Sequence, residues 1–287
     1  MEITILGSGS PPPQTSRAGQ SMVVSIDDEP LLFDCGPMTV ERLLENKFDL
    51  QDITSMFLTH HHIDHNSSFF HFVITSWMYG RQDLSVYGPE GTDTLISALT
   101  DIYSRDIDYR KDFGRPIEGM TGIKHQHVND ETVISEDKWT VTVHSVSHSI
   151  PTYAYRVDAH DSGKSFVFSG DTERIDSLVD FAKGADVLVH DAAVGPTREV
   201  TETDDACDQE SWRQYLSTNP HPSETPMVDY HASGRESGEV AEAAGVETLV
   251  LTHFLPAQDT EATKEQAESA FSGDVYVAED GLTISTV

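Results

Sequence analysis

The sequence contains few basic residues. Lysine and arginine together number 18 among 287 residues, against 49 aspartate and glutamate residues, which gives a formal net charge of −31. The acidic residues are spread from Glu2 to Asp280 and form no long block, so we expect a solvated acidic surface rather than an acidic tail. Such a surface repels polyanions at low salt and favours a salt-rich cytoplasm as the setting of the protein.

Cysteine is scarce and long apolar runs are absent. Cys35 and Cys207 are too few for a disulfide framework or a four-thiolate metal site. The chain opens on a strand pattern, without the basic stretch and apolar core of a secretory signal. No apolar run approaches the roughly 18–20 residues that a membrane span needs. We therefore expect a reduced, cytoplasmic protein of a salt-adapted organism, with no membrane partner.

Short runs of β-branched and aromatic residues alternate with turns and with a few helical stretches. Helical spacing is found at residues 92–103, 175–183 and 236–244. Strands with interspersed helices predict an α/β fold in which sheets are covered on their outer faces by helices. No repeat or domain boundary interrupts the pattern, so residues 1–287 are predicted to form one domain, with a surface insertion at 196–228.

The first predicted helix, TDTLISALTDIY, is amphipathic. Four apolar residues fall on one of its faces, namely Leu95, Leu99, Ile102 and Tyr103. This spacing is typical of a helix that packs against a sheet.

Five apolar runs end abruptly in residues that can bind metal or cradle phosphate. These runs are ILGSGS, FLTHHHIDH, VFSGD, LVHD and LVLTHF. Side chains at the carboxyl ends of buried strands converge on the crevice where α/β proteins bind ligands. The sequence therefore predicts one site at which these strand ends meet.

The densest group of metal-binding side chains lies at residues 59–66, THHHIDHN. In an extended segment residues two apart share a face, so His60 and His62 can bind one ion while Asp64 and His65, past a turn, reach another. Four such groups placed directly after a buried strand would be costly to bury without ions. The segment therefore predicts a metal site rather than a histidine-rich surface loop.

The HHHIDH run fits the HxHxDH motif and resembles the metallo-β-lactamase superfamily of binuclear metallohydrolases. The resemblance covers nearly the whole chain, because further signatures follow in the expected order. It implies an αββα sandwich of two facing mixed β-sheets with helices on the outer faces. The metal ligands that it implies are His60, His62 and His148 for one divalent ion, Asp64, His65 and His253 for the second, and Asp171 as the bridge between them. Sites rich in histidine favour zinc, although the same set accepts iron or manganese.

Within the superfamily, the chain is similar to ribonuclease Z and to the zinc arylsulfatase-like enzymes related to it. The similarity is carried by LGSGSPPP, LLFDCG, DYHAS and AAGVETLVLTHF, while SRAGQS and TSWMYGR resemble the arylsulfatase-like branch. His231 of DYHAS lies where ribonuclease Z carries a histidine that assists the leaving group. Ribonuclease Z also has a tRNA-gripping arm between the positions of His148 and Asp171, but here these residues are only 23 positions apart, which leaves room for one hairpin.

An acidic chain without such an arm has few basic side chains to neutralise phosphates. We therefore expect a small ester as substrate and disfavour tRNA. The expected reaction is cleavage of a phosphodiester or sulfate ester by metal-bound hydroxide, which Asp64 orients while His231 protonates the leaving group. Four alternatives stay open: tRNA 3′ processing of the ribonuclease Z type, a lactonase or thioesterase, a two-iron redox enzyme, and a non-catalytic scaffold that metals stabilise. The oligomeric state also stays open, with a homodimer among the alternatives.

The net charge predicts that stability depends on salt. Repulsion among acidic side chains opposes the compact state most strongly at low ionic strength, where the Debye length grows to about 30 Å at 0.01 M. We expect the melting temperature, followed by circular dichroism, to rise as KCl increases from millimolar to molar concentration. A melting temperature that stays flat across this range would contradict the inference of a salt-rich habitat.

Overall fold

The computed structural model describes residues 1–198 and 226–286, which form two facing β-sheets with α-helices outside them. The strands of the first sheet are β1 (Glu2–Gly7), β2 (Ser21–Ile26), β3 (Glu29–Phe33), β4 (Ser55–Phe57), β5 (Leu84–Gly88), β6 (Ile123–His127) and β14 (Thr283–Ser285). The strands of the second are β7 (Val133–Ser135), β8 (Trp139–Val146), β9 (Thr152–Ala159), β10 (Ser165–Phe168), β11 (Val187–Asp191), β12 (Thr248–Thr252) and β13 (Asp274–Val277). The predicted αββα architecture is confirmed.

Both sheets are mixed and follow the same plan. The first has the strand order β14-β1-β2-β3-β4-β5-β6 and the second the order β13-β12-β11-β10-β9-β8-β7. In each sheet three pairs are antiparallel and three are parallel, the parallel strands being β3 to β6 and β10 to β13. The carboxyl ends of parallel strands lie at one edge of a sheet, and there the loops that follow them can supply a common site.

Aromatic side chains fill the space between the two sheets. Phe33 and Phe57 of the first sheet stack with their ring centroids 4.8 Å apart, and Tyr155 of the second sheet meets both edge-on at 5.7 and 5.6 Å. All three are fully buried. Burying a large apolar side chain contributes about 1.5–3 kcal/mol, so this interface is a main source of stability. The Tyr155 hydroxyl also donates to the Leu58 carbonyl at 2.7 Å, which fixes the chain just before the histidine-rich segment.

Helices cover the outer face of each sheet. Over the first sheet and around its edge lie α1 (Thr39–Glu45), α2 (Ile63–Asn66), α3 (Phe69–Tyr79), α4 (Thr92–Asp112) and α5 (Glu118–Thr121). Over the second lie α6 (Asp176–Phe181), α7 (Gly234–Ala244) and α8 (Thr260–Glu268). Short 3₁₀ helices span Leu50–Asp52 and Pro226–Asp229.

Helix α7, which packs over the second sheet, begins with a capping box. Ser233 accepts a hydrogen bond from the Glu236 backbone N–H at 3.3 Å, and the Glu236 carboxylate accepts one from the Ser233 N–H at 2.8 Å. This capping box satisfies two backbone donors that the helix would otherwise leave free. Gly238 packs so closely on α8 that a Cβ would lie 2.6 Å from the Ala267 carbonyl oxygen, so only glycine fits there.

The helices foreseen from the sequence are present, with one difference in what they bury. The first of them, α4, buries Leu99, but Ile102 is 65% exposed and Tyr103 is 38% exposed. The helix lies over the edge of the sheet, against β5 and β6, so only part of its apolar face meets the protein. Residues 199–225 of the expected insertion at 196–228 lie outside the described residues. Among the described helices, none combines the length and apolarity needed to cross a membrane.

Candidate metal centre

The predicted site residues come together at the carboxyl ends of the parallel strands. The 59–66 segment follows β4, Asp171 follows β10, and His253 follows β12. His62 is extended, with φ −73° and ψ 152°, and helix α2 begins directly after it. The change from extended chain to helix turns Asp64 and His65 back over the ends of the strands, as the spacing of the motif predicts.

One oxygen of Asp171, Oδ2, lies at the centre of four imidazoles. Its distances to the Nε2 atoms are 3.3 Å for His65, 3.3 Å for His253, 3.6 Å for His60 and 3.8 Å for His148. A carboxylate oxygen ringed by four imidazole nitrogens has the arrangement expected of a bridge between two metal sites.

The other predicted ligands extend this centre on both sides. His62 Nδ1 lies 3.2 Å from His148 Nε2, and Asp64 Oδ2 lies 3.0 Å from His253 Nε2. Potential ligand atoms within 4.8 Å of one another form three groups among the described residues: His60, His62, His148 and Asp171 in the first, Asp64, His65 and His253 in the second, and Asp171, Asp191, His231 and His253 in the third. The structure thus brings all seven predicted residues together. The third group adds Asp191 and His231, to which the resemblance assigns no metal.

The donor atoms of this cluster fit a divalent metal. Among the described residues, several buried side-chain atoms have no hydrogen-bond partner, and two of them are imidazole nitrogens that face Asp171 Oδ2, His60 Nε2 and His65 Nε2. A buried polar atom without a partner costs about 1–3 kcal/mol, so two in one place would be destabilising. Imidazole nitrogens and carboxylate oxygens are ligands of zinc and related ions, and coordination would satisfy atoms that the protein leaves unpaired.

The electrostatics of the cluster are those of closely packed opposite charges. Burial raises the pKa of Asp171, but the surrounding His253 and His65 outweigh it and hold that pKa well below its usual value. Burial lowers the pKa of His60 well below its usual value, and the neighbouring His65 lowers it further. Burial lowers the pKa values of His65 and His253, but Asp171 outweighs it and raises both. Because a ligand imidazole must be neutral, metal binding at these two residues would displace protons.

A second layer of hydrogen bonds orients two of the histidines. Asp34, fully buried after β3, accepts from His65 Nδ1 at 2.8 Å and from the Thr59 backbone N–H at 2.8 Å. The Thr59 hydroxyl lies 2.9 Å from Oδ2 of Asp34 and 2.9 Å from Nδ1 of His60. Because that hydroxyl has one proton, donating it to Asp34 leaves the oxygen to accept from His60 Nδ1–H. Both histidines then present Nε2 to the centre of the cluster.

His231 lies at the rim of the cluster and pairs with Asp191. His231 Nδ1 lies 2.7 Å from Asp191 Oδ2, and its ring stacks on that of His253 at 5.2 Å. Burial lowers the pKa of His231, but Asp191 outweighs it and raises the pKa to about 9. Asp191 also accepts from the Thr172 N–H at 3.1 Å, which fixes its position beside Asp171. With Nδ1 occupied by Asp191, Nε2 is the atom of His231 that can act on a substrate.

A family model described as the β-lactamase superfamily domain matches residues 30–254 of this chain, which includes every residue of the cluster. The chain belongs to the metallo-β-lactamase superfamily. It is a metal-dependent hydrolase that acts on ester bonds, and it is ribonuclease Z-like. Ribonuclease Z of Mycobacterium bovis (strain BCG / Pasteur 1173P2) is 30% identical to it, with 98% of this chain and 96% of that protein covered.

Two solved structures share the fold of this superfamily member. The metallo-β-lactamase fold protein YhfI from Bacillus subtilis has a TM-score of 0.75 and 20% sequence identity, with 99% of both chains covered. The short form of human tRNase Z has a TM-score of 0.69 and 21% identity, again with 99% of both chains covered. These likenesses confirm the predicted fold.

The structure gives roles to further residues around the cluster. Asp34 and Asp191 each accept a hydrogen bond from a backbone N–H and each pair with a histidine ring. Cys35 is buried, and burial raises the pKa of its thiol. Its neutral side chain therefore packs as a small apolar residue does. Sequence reasoning missed Thr59, and the only signal available was its place directly before the first histidine of the motif. His190 is buried but belongs to none of the ligand groups found in the described residues.

The contacts of Thr59 predict that its hydroxyl strengthens metal binding. Thr59→Val keeps the shape but removes the bridge between Asp34 and His60, so divalent-metal affinity should fall about 10- to 100-fold, as for other residues that orient metal ligands. Thr59→Ser, which keeps the hydroxyl, should retain most of the affinity. Competition titration with a fluorescent zinc chelator measures both variants. Equal affinities for the Val and Ser variants would show that the hydroxyl has no such effect.

Proposed function

We propose that this chain is a binuclear phosphodiesterase of the ribonuclease Z type that cleaves precursor tRNA at its 3′ end. The observation that carries the proposal is the largely buried cluster of Asp171 and six further potential ligands, with the His231–Asp191 pair at its rim. This arrangement provides two metal sites and, next to them, a group able to protonate a leaving oxygen.

Two zinc ions are the proposed cofactors, with manganese or iron as alternatives that suit the same donors. One ion would be held by His60, His62 and His148 and the other by Asp64, His65 and His253, with Asp171 shared. When bound, such ions lower the pKa of water to about 7 and neutralise charge that develops on an attacked phosphate.

Asp64 is the residue that we propose orients the attacking water. Its Oδ2 lies 3.0 Å from His253 Nε2, whereas its buried Oδ1 has no hydrogen-bond partner in the described structure. This free oxygen on a carboxylate of the cluster can accept a hydrogen bond from water and direct the lone pair of that water toward the phosphorus atom.

His231 is the residue that we propose assists departure of the leaving group. Asp191 holds its ring through Nδ1 at 2.7 Å, and the side chain is 11% exposed, so it can reach a bound substrate from the rim of the cluster. The nucleoside oxygen that leaves from RNA is a poor leaving group, and it needs a proton as the phosphorus–oxygen bond breaks. Asp191 also stabilises the protonated form of the ring, which is the form that donates.

The relatives favour this function over sulfate-ester hydrolysis, which the sequence alone placed on an equal footing with phosphodiester hydrolysis. The curated mycobacterial relative is named ribonuclease Z, and the human structural neighbour is named tRNase Z. These comparisons support the ribonuclease Z alternative better than the small ester expected from the sequence.

The short connection between His148 and Asp171 does not argue against this proposal. In the structure it is the predicted hairpin, formed by β9 and β10. The alignment with the M. bovis ribonuclease Z spans 289 positions and covers 98% of this chain of 287 residues. An inserted arm of many tens of residues in that relative would have lengthened the alignment well beyond this. A protein that carries the name ribonuclease Z therefore has an equally short connection here.

A second candidate is hydrolysis of a small phosphodiester, and the net charge of −31 favours it. Sequence-independent affinity for nucleic acid comes chiefly from lysine and arginine at the phosphates, and this chain has 18 such residues in all. A small substrate needs no such surface beyond the metal centre.

An assay of metal-loaded protein against both substrate classes tests the proposal. We expect two ions per chain by elemental analysis and cleavage of precursor tRNA at its 3′ end, measured in 0.1 M and 2 M KCl, with bis-p-nitrophenyl phosphate also turned over. His60→Ala is the inactive control, because it removes a ligand. Turnover of the nitrophenyl ester without cleavage of tRNA would favour the second candidate. Fewer than two ions after full reconstitution would reject the binuclear site.

The proposed role of His231 predicts an effect that depends on the leaving group. His231→Ala should slow cleavage of RNA about 10²- to 10⁴-fold, because the departing oxygen needs a proton. Cleavage of bis-p-nitrophenyl phosphate should change far less, since nitrophenolate leaves without one. His125→Ala, in exposed strand β6, is the matched control and should leave both rates unchanged. Equal slowing of both substrates by His231→Ala would contradict proton donation.

A further inference from the structure

His253 adopts a backbone conformation that its residue type disfavours. Its φ is +66°, in the left-handed region, where the Cβ of an L-residue crowds the following carbonyl. Such a conformation persists only when the surroundings hold it. His253 is a proposed ligand that also contacts both Asp64 and Asp171, at 3.0 and 3.3 Å from its Nε2. Whatever holds its backbone therefore sets the position of this ligand.

We infer that the loop of residues 8–17 is a clamp that positions His253 by gripping Phe254, with Gln14 and Arg17 as its positioning residues. The inference rests on the proposed function, since it concerns the same metal centre. Gln14 and Arg17 contact Phe254 and lie outside the strands that carry the proposed ligands.

The clamp holds the backbone of Phe254 from both sides. The Phe254 N–H donates to the Ser8 carbonyl at 2.9 Å. The Phe254 carbonyl accepts from the Ser10 hydroxyl at 3.0 Å and from Gln14 Nε2 at 2.9 Å. The loop thus fixes both peptide groups that flank Phe254, and one of these is the peptide that follows His253. The peptide that precedes His253 is held by a hydrogen bond from the Ala192 N–H to the Thr252 carbonyl at 3.0 Å. With the peptides on both sides held, the φ and ψ of His253 have little freedom to relax.

The ring of Phe254 is held as well. It is fully buried, and the Arg17 guanidinium lies over it with Cζ 4.8 Å from the centroid. Arg17 Nη1 also donates to the Ser8 hydroxyl at 2.6 Å and to the Ala278 carbonyl. The Ala278 N–H in turn donates to the Leu251 carbonyl at 2.8 Å, two residues before His253. Arg17 therefore connects the loop to the chain both before and after His253, at Leu251 through Ala278 and at Phe254 directly.

Asp280 anchors the base of the clamp and supplies a matched control. Its carboxylate accepts from the Ala18 N–H at 2.7 Å, from the Ser8 hydroxyl at 3.3 Å and from Arg42 Nε at 3.0 Å. Arg17 and Arg42 thus both lie in the electrostatic surroundings of Asp280, but of the two only Arg17 contacts Phe254. Removing either arginine weakens the same network, and only removal of Arg17 releases the residue next to the ligand.

The test is a Co²⁺ titration of full-length protein, followed by the visible absorption of the bound ion. The variants are Arg17→Met and Gln14→Leu, with Arg17→Lys as the conservative replacement and Arg42→Met as the control. We expect two Co²⁺ to bind to the wild type. In Arg17→Met and Gln14→Leu, affinity for one of the two ions should fall about 10- to 100-fold with an altered spectrum, while the other is retained. Arg17→Lys should restore part of that affinity, because lysine keeps the charge but not the planar group that lies over Phe254, and Arg42→Met should bind both ions as the wild type does.

The outcomes separate this inference from the proposed function. Fewer than two Co²⁺ on the wild type would overturn the binuclear site and the clamp with it. Two Co²⁺ on the wild type, with unchanged affinities and spectra in Arg17→Met and Gln14→Leu, would overturn the clamp alone. So would an equal loss in Arg42→Met, because it would show a general effect of the Asp280 network. Gln14 is only half-buried, so its replacement stays informative even if Arg17→Met fails to fold.

Discussion

The burial of the Asp171 carboxylate is the constraint on which the rest of this structure depends. An ionised carboxylate removed from water is stable only among strong partners, and Asp171 has four imidazole nitrogens within 3.8 Å of one oxygen. Those imidazoles come from three separate parts of the chain. All four imidazoles must lie next to the same carboxylate oxygen, so the fold has to bring distant strand ends together within a few ångströms.

The two sheets meet this requirement through their parallel strands. Strands β3 and β4 of one sheet and β10 to β12 of the other end at the site, and the aromatic layer between the sheets fixes the distance between the two sets of ends. Tyr155 links the two functions of this layer, because its ring packs between the sheets while its hydroxyl holds Leu58 just before the metal-binding motif. The stability of the core and the geometry of the site therefore have a common source.

Much of this could be predicted from the sequence, because the strongest signals are local. The alternation of strand and helix patterns predicts a layered α/β fold, and the HxHxDH spacing predicts a turn from extended chain to helix within one segment. Contacts between distant residues carry no such local signal. Gln14 and Arg17 reach Phe254 across some 240 residues, and Thr59 acts through an aspartate 25 residues before it. The exposure of Ile102 depends on how far α4 extends over the edge of the sheet, which periodicity alone does not determine.

The acidic residues of this chain lie at the candidate site as well as on the surface. Four buried carboxylates, Asp34, Asp64, Asp171 and Asp191, lie at or beside the cluster, in a protein that already carries a net charge of −31. Two divalent ions would supply four positive charges, which balance these carboxylates where the histidines are neutral. The metal centre would then be the part of an acidic molecule at which a phosphodiester meets no repulsion. Bound metal would thus determine where an anionic substrate can approach as well as how it reacts, and high salt, which screens the outer charge, would extend that access to a larger substrate such as the RNA proposed above.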